Sequence, residues 1–159
     1  MNLWSGVFGK TPATGDFVSR GLPLAVRRAL DQWVSENLAG RNGPWPLGGI
    51  RGLLLLDDTP ALFLAVSSRD SVGRRYPLVS ATCAEGLSFE VAEAWCDRLC
   101  PLLSGAANGA GDLEGVKTEL ENLSNMPRDA EDGEPAIWLA GGPPFESTPD
   151  ALDELFSSG

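Results

Sequence analysis

The spacing of apolar positions predicts four helices along the chain. The clearest runs from Leu24 to Leu38, where apolar side chains recur every three or four residues and form one stripe. Three later segments repeat this spacing, and each is preceded by a residue suited to an N-cap, namely Ser88, Asp112 or Thr148. The predicted helices cover residues 24–38, 88 to about 103, 112 to about 123, and 149 to about 156.

Unbroken apolar runs predict the strands. IRGLLLL at 50–56 and ALFLAV at 61–66 are joined by a four-residue turn, DDTP, and YPLVSATC at 76–83 follows. A further run, AIWLA, lies at 136–140. Because such runs are apolar on both faces, we expect helices on both sides of the sheet. The short connections predict an antiparallel three-strand meander, and hence an α+β fold, an α/β sandwich with a mainly antiparallel central sheet.

Length and composition fit an ordinary globular protein. At 159 residues and 43% apolar content, the chain predicts a single domain over residues 1–159. It has no apolar run of membrane-spanning length, and its start, MNLWSGVFGKTP, lacks a signal-peptide pattern. We therefore expect a cytoplasmic protein without membrane insertion. Cys83, Cys96 and Cys100 are expected to be free, buried thiols rather than a disulfide framework or a metal or redox pair.

Residue usage also limits the chemistry. The absence of histidine excludes Ser-His and Cys-His nucleophiles, and no two carboxylates have the spacing of a known catalytic pair, so we expect no cofactor and no metal. The net charge of -10 is uneven: residues 1–84 carry nine Lys/Arg against six Asp/Glu (+3), whereas residues 85–159 carry three against sixteen (-13). The acidic half argues against a nucleic-acid partner. The basic side chains of the first half either present a patch to an acidic protein or only keep one face of the protein hydrated.

The densest motif is GVFGKTPATGDFVSRGLP, residues 6–23. Its glycines and prolines exclude a long helix, while its apolar residues need burial, so it predicts a packed turn system that holds Lys10, Asp16 and Arg20 near one another. Gly9-Lys10-Thr11 lacks the glycine spacing of a phosphate-binding loop. The three charged residues either make local hydrogen bonds and an ion pair or form part of a binding surface.

A second motif is DSVGRRYPL, residues 70–78. Gly73 permits a turn, and the proline at 77 forces Tyr76 into an extended conformation. One interpretation is an arginine held by Asp16 or Asp70 that braces two loops. The other is an interface at which Arg74 and Tyr76 are exposed, because arginine and tyrosine are frequent anchors of protein–protein contacts.

The two motifs, in this order, resemble the TagF family (also called ImpM), accessory proteins of bacterial type VI secretion. The family opens with Gly-x-Phe/Tyr-Gly-Lys-x-Pro-x-x-Gly-Asp-Phe-Val/Ile-x-Arg-x-Leu-Pro, which the chain matches from Gly6 to Pro23. The family continues with Asp-x-x-Gly-Arg-x-Phe/Tyr-Pro-Leu, which is matched from Asp70 to Leu78. AIWL at 136–139 matches in part a later Ser-x-Trp-Trp strand of the family.

The resemblance implies a regulator rather than an enzyme. Family members are post-translational repressors of secretion, and some bind a forkhead-associated scaffold protein in the cytoplasm. We therefore expect a non-catalytic repressor that binds a cytosolic secretion component. Its candidate protein-binding residues are Lys10, Asp16, Arg20, Asp70, Arg74 and Tyr76. Two alternatives stay open, a structural or assembly component of the secretion machine and a small carboxylate-dependent hydrolase that uses Asp16 with Lys10.

Overall fold

The computed structural model describes residues 3–13, 16–41 and 43–158, which fold around one six-stranded sheet. Within these residues the strands are β1 (Ser5–Gly9), β2 (Val18–Arg20), β3 (Ile50–Leu56), β4 (Thr59–Val66), β5 (Leu78–Cys83) and β6 (Ala136–Leu139). The helices are α1 (Leu24–Asn37), α2 (Phe89–Ala107), α3 (Leu113–Asn122) and α4 (Pro149–Ser158), with a short 3-10 turn at Leu123–Asn125.

All neighbouring strands of the sheet are antiparallel, in the order β2-β1-β5-β4-β3-β6. Gly9 pairs with Leu78, so β1 ends where β5 begins. We call this end of the sheet, with residues 10–13, 16–17 and 67–77, the upper end. Ala61 pairs with Cys83 at the opposite, lower end, which carries the β3–β4 turn and residues 84–88.

Each face of the sheet has its own hydrophobic core. Helices α2 and α3 cover one face, where Trp95, Leu99 and Val116 pack on β4 and β5. Helices α1 and α4 cover the other face, where Leu30 and Leu152 join a core that includes residues of β3, β4, β5 and β6. The α+β class, the antiparallel meander and the helices on both faces are therefore confirmed.

Three local predictions are wrong. The β3–β4 turn has two residues rather than four, because Asp57 and Asp58 both adopt positive φ (52° and 58°), the conformation that a tight hairpin requires and that aspartate tolerates better than most residues. The 6–23 motif, predicted to be a turn system, forms most of β1 and all of β2; its glycines interrupt the apolar pattern by which strands are recognised in a sequence. Helix α2 ends at Ala107 rather than at about residue 103. It accommodates Pro101 because this residue lies on the exposed side of the helix, where water can satisfy the carbonyl of Asp97.

The cysteines are free thiols, as expected. Cys83 and Cys96 are buried and Cys100 is half-buried. Burial raises the pKa of the Cys96 thiol above its ordinary value. Over the described part of the chain, no group of three or more acidic or cysteine side chains is arranged to hold a metal ion. None of the described helices combines the length and the apolar character that crossing a bilayer requires.

A buried arginine ties the sheet to α2. The Arg51 side chain on β3 is 2% exposed, and its guanidinium forms ion pairs with Glu93 and with Asp97, the latter at 2.6 Å. Its Nε also approaches the carbonyl of Gly48 at 3.4 Å. The apolar run around position 51 gave no sign of this network, because only the fold brings the two α2 carboxylates over β3.

We expect Arg51→Ala to lower the free energy of unfolding by about 3 kcal/mol or more, because it leaves Glu93 beside the core without its counter-charge. The matched control is Arg20→Ala, which breaks an exposed pair with Glu114 and should cost less than about 1 kcal/mol. Urea denaturation at neutral pH measures both values. Equal costs for the two variants would contradict the structural role of Arg51.

Candidate protein-binding surface

The two sequence motifs meet at the upper end of the sheet. Gly9, the last residue of β1, has a φ of 134°, and a Cβ at this position would collide with the carbonyl oxygen of Pro77. Ser68 then donates a hydrogen bond from its hydroxyl to the carbonyl of Lys10 at 2.5 Å. The glycine thus permits a close approach of the two segments, and the serine fixes it.

A buried carboxylate, Asp70, holds both segments. Its side chain is fully buried, and one of its oxygens, Oδ2, lies 2.6 Å from Arg74 Nε and 3.3 Å from Lys10 Nζ. The other oxygen, Oδ1, accepts hydrogen bonds from the backbone N–H groups of Val72 and Arg74 at 3.1 and 2.9 Å. Of the two carboxylates that the sequence offered as the brace, Asp70 holds Arg74.

This environment stabilises the ionised form of Asp70. Burial alone would raise its pKa, but hydrogen bonds from Arg74, Val72 and Lys10 outweigh burial and lower the pKa from 3.8 to about 2. Asp70 is therefore a carboxylate at every pH near neutrality, and it keeps one lysine and one arginine in fixed positions.

Three aromatic rings lie beside this ion cluster. Phe17 stacks on Phe8 with a centroid distance of 5.8 Å and meets Tyr76 edge to face at 4.7 Å. Lys10 Nζ lies 5.0 Å from the centroid of the Phe17 ring, within the range of a cation–π interaction. Phe8 and Tyr76 are buried, whereas Phe17 remains 51% exposed. The arrangement presents one aromatic side chain to solvent on a fixed support.

Tyr76 lies in the interior rather than on the surface. It is 7% exposed, and its hydroxyl donates a hydrogen bond to Asp31 Oδ1 of α1 at 2.7 Å. Burial is the main cause of the raised pKa of Tyr76, and the neighbouring Asp31 carboxylate adds to it, while the Ser35 hydroxyl opposes it. The interpretation in which Tyr76 is exposed at an interface therefore does not agree with the structure, where its side chain is buried.

The remaining candidates lie at the margin of this region. Asp16 is exposed, in the residues that lead into β2. Arg20, at the end of β2, pairs with Glu114 of α3 at 3.2 Å, with more than half of each side chain exposed. The predicted grouping of Lys10 and Arg20 around Asp16 therefore takes a different form, in which Lys10 pairs with Asp70 and Arg20 with α3.

Two further arginines lie on the 67–77 segment. Arg69 and Arg75 face each other across an antiparallel bridge, and both are exposed, as is Arg74. Side chains opposite each other on paired strands lie about 5 Å apart at Cβ, and like charges there destabilise each other. Lys10 and the three arginines outnumber Asp16 and Asp70 at the upper end, which is therefore basic.

Sequence reasoning missed Phe17 and the arginine pair as parts of the surface. Phe17 is one of the apolar residues of the 6–23 motif for which the sequence predicts burial, and neither Arg69 nor Arg75 stands out in the sequence as part of a surface. A signal was present for Phe17, because it directly follows Asp16 in a glycine-rich segment that offers little chain to cover it. The sequence holds no corresponding signal for the Arg69–Arg75 pair, because a cross-strand pairing within a loop depends on the fold.

The geometry defines a class of protein: a small α+β domain that presents a rigid aromatic and basic surface at one end of its sheet. Residues 6–42 match the model of the TagF N-terminal domain, described as type VI secretion system-associated. The match bears out the resemblance to the TagF family over this part of the chain, which holds the first motif, most of β1, and all of β2 and α1; the second motif lies outside it.

A solved structure supports the fold. The chain is similar to PA0076 from Pseudomonas aeruginosa PAO1, with a TM-score of 0.62 and 24% sequence identity. The similarity covers 77% of this chain and 64% of PA0076, so the chain spans less than two thirds of that protein. No curated protein matches the chain. At this identity the likeness concerns the fold.

The depressed pKa of Asp70 leads to a prediction about acid stability. A carboxyl with a pKa of 3.8 unfolded and about 2 folded stabilises the fold above about pH 4, and this contribution disappears as the pH falls toward about 2. We expect Asp70→Asn to be less stable than the parent chain at neutral pH. The difference between the two proteins should shrink between about pH 4 and about pH 2.

Urea denaturation at several pH values measures this difference. The control is Asp58→Asn, which changes an exposed carboxyl in the β3–β4 turn and should leave the pH dependence of stability unchanged. A constant difference between the Asp70→Asn variant and the parent chain across the acid range would show that the ion cluster does not hold Asp70 ionised.

Proposed function

We propose that the chain regulates type VI secretion as a repressor that binds a cytosolic component of the machine, such as a forkhead-associated scaffold protein. In this proposal residues 1–159 form one TagF-like domain in the cytoplasm, and the domain acts by binding rather than by catalysis. The single observation that carries the proposal is the exposed Phe17 ring, which contacts Phe8 and Tyr76 and has Lys10 Nζ 5.0 Å from its centroid.

A fixed, exposed aromatic ring suits the centre of a protein interface. Binding hot spots are commonly aromatic or arginine side chains that need little ordering when the partner arrives. Phe17 and Arg74 meet this description. Phe8 stacks on the Phe17 ring and Tyr76 meets it edge to face, while the Arg74 guanidinium is bound to Asp70 and 62% of the Arg74 side chain stays exposed. A partner would meet both groups already in place.

The charge of the upper end favours an acidic partner surface. The 67–77 segment carries three exposed arginines, and the one acidic side chain within it, Asp70, is buried. An acidic partner surface would accelerate association with these exposed arginines through electrostatic attraction. Binding through this surface should therefore weaken as the salt concentration rises.

The six candidate residues divide into two roles in this proposal. Asp16, Arg20 and Arg74 are exposed and would contact the partner together with Phe17. Asp70, Tyr76 and most of Lys10 lie beneath the surface and would act as positioning residues.

Two alternative functions differ from this proposal in testable ways. The hydrolase would use Asp16 with Lys10. However, Lys10 forms an ion pair with Asp70 and a cation–π contact with Phe17, so the arrangement favours a positioned cation over a reactive pair. A structural component of the secretion machine would use the same kind of surface as a repressor. Deletion separates these two, because loss of a repressor raises secretion and loss of a component abolishes it.

We expect Phe17→Ala to weaken binding to the purified forkhead-associated scaffold by about tenfold or more, because a hot-spot aromatic contributes about 2 kcal/mol or more. The matched control is Leu47→Ala, which removes an apolar side chain that is 96% exposed in the loop before β3. Isothermal titration calorimetry gives both affinities, and circular dichroism checks the fold.

A charge pair of variants completes this test. Arg74→Glu should weaken scaffold binding and reduce its salt dependence, whereas Arg28→Glu, an equal change on the exposed side of α1, should alter neither. If scaffold binding is unaffected by Phe17→Ala and Arg74→Glu, or if no scaffold binding is detected, the proposed surface or the proposed partner is wrong.

A further inference from the structure

The lower end of the sheet carries an acidic cavity of about 700 Å³, away from the surface discussed above. Its apolar lining includes Leu53, Leu87, Phe89 and prolines from two loops, and its polar lining includes Glu131, Glu134 and Glu146. The volume lies within the range of about 300–1,000 Å³ that is usual for ligand pockets. We propose that this cavity binds a partner segment in which apolar side chains alternate with lysine or arginine.

Charge is the first argument for this occupant. No lysine or arginine is among the described residues that line the cavity, and none of its three glutamates forms an ion pair within the described part of the chain. The half of the chain that supplies them, residues 85–159, has a net charge of -13. Three uncompensated carboxylates around one opening attract cations and repel anions. A basic segment is the complementary ligand.

Exposed apolar surface is the second argument. A smaller cavity of about 120 Å³ continues from the same walls, sharing Leu53, Gly133 and Pro135 with the acidic cavity. It is lined in addition by Leu55, which is 61% exposed on β3. A ligand with basic side chains alone would leave these two apolar depressions in water, so the best fit has apolar side chains between the charges.

A buried donor without a partner lies behind the cavity wall. Trp138 is fully buried, and within the described residues its indole Nε1–H has no acceptor. Its ring packs against Phe89 at a centroid distance of 4.9 Å, and Phe89, the first residue of α2, is 38% exposed and lines the cavity. A partner segment in the cavity would therefore lie against Phe89, the ring that packs on Trp138.

The strand register separates this site from the surface proposed above. Leu87 lines the acidic cavity and Ala84 lines the smaller one, both just beyond the end of β5, whereas the 67–77 segment precedes the start of that strand. The two sites therefore lie at opposite ends of the sheet. Either can bind while the other is empty, and a variant at one leaves the other intact.

The test uses the full chain and a fluorescein-labelled peptide, GRLRLRG, in which leucines alternate with arginines. Two control peptides, GRSRSRG and GSLSLSG, keep only the charge or only the apolar side chains. Fluorescence anisotropy should show GRLRLRG binding about tenfold or more tightly than either control, and this binding should weaken with added salt. No binding of GRLRLRG, or equal binding of GRLRLRG and GRSRSRG, would overturn the proposal.

Two variants locate the binding. Glu134→Lys combined with Glu146→Lys should weaken GRLRLRG binding by about tenfold or more, whereas an equal charge change away from the cavity, Glu36→Lys combined with Glu121→Lys, should have a much smaller effect. Gly133→Phe should also abolish binding without loss of stability. Gly133 is exposed, its Cβ would meet only Leu53 at an ordinary contact distance of 3.4 Å, and the ring would fill the cavity.

Sedimentation velocity tests the other possible occupant, a second copy of this chain. We expect the chain to remain monomeric at concentrations at which the peptide binds. Self-association that the Glu134→Lys and Glu146→Lys changes abolish would assign the cavity to another copy and would overturn the proposal of a separate partner. Phe17→Ala should leave peptide binding unchanged, so failure here and failure of the proposed function are distinguishable.

Discussion

The arrangement of the upper end depends on one interaction, the buried carboxylate of Asp70 with the cations of Lys10 and Arg74. A buried charge is tolerated only when it is paired and hydrogen-bonded, so this carboxylate requires both motifs to be in place. Lys10 then stands over Phe17, and Arg74 stays exposed beside it. The ion cluster thereby converts two sequence-distant loops into one surface.

The sheet separates the two proposed binding sites, which differ in charge. Short antiparallel strands place the 10–13 and 67–77 residues at the upper end and the 84–88 residues at the lower end. The uneven charge of the sequence follows this geometry, with exposed arginines above and uncompensated glutamates below. With this separation, a partner at one proposed site does not block the other site.

Much of the fold could be predicted from the sequence, since its signals are local. The N-caps Ser88 and Asp112 and the apolar runs of β3 to β5 act over a few residues each. The candidate site could be predicted only in part. Glycine and proline identified the two motifs, but the partners of Lys10 and Arg20 depend on which segments the sheet brings together. Arg51 and the acidic cavity could not be predicted for the same reason, since their carboxylates come from distant α2 and loop residues.

The most direct test of the central claim is amide hydrogen exchange by NMR in an Asp70→Asn variant. If Asp70 holds both motifs together, exchange should accelerate at Phe17 and Val18 as well as at Val72 and Arg74. The backbone N–H groups of Val72 and Arg74 donate hydrogen bonds to Asp70. Exchange at Phe63, in the centre of the sheet, should stay as it is in the parent chain. Acceleration confined to Val72 and Arg74 would contradict the account, because it would show that the first motif keeps its place without the carboxylate.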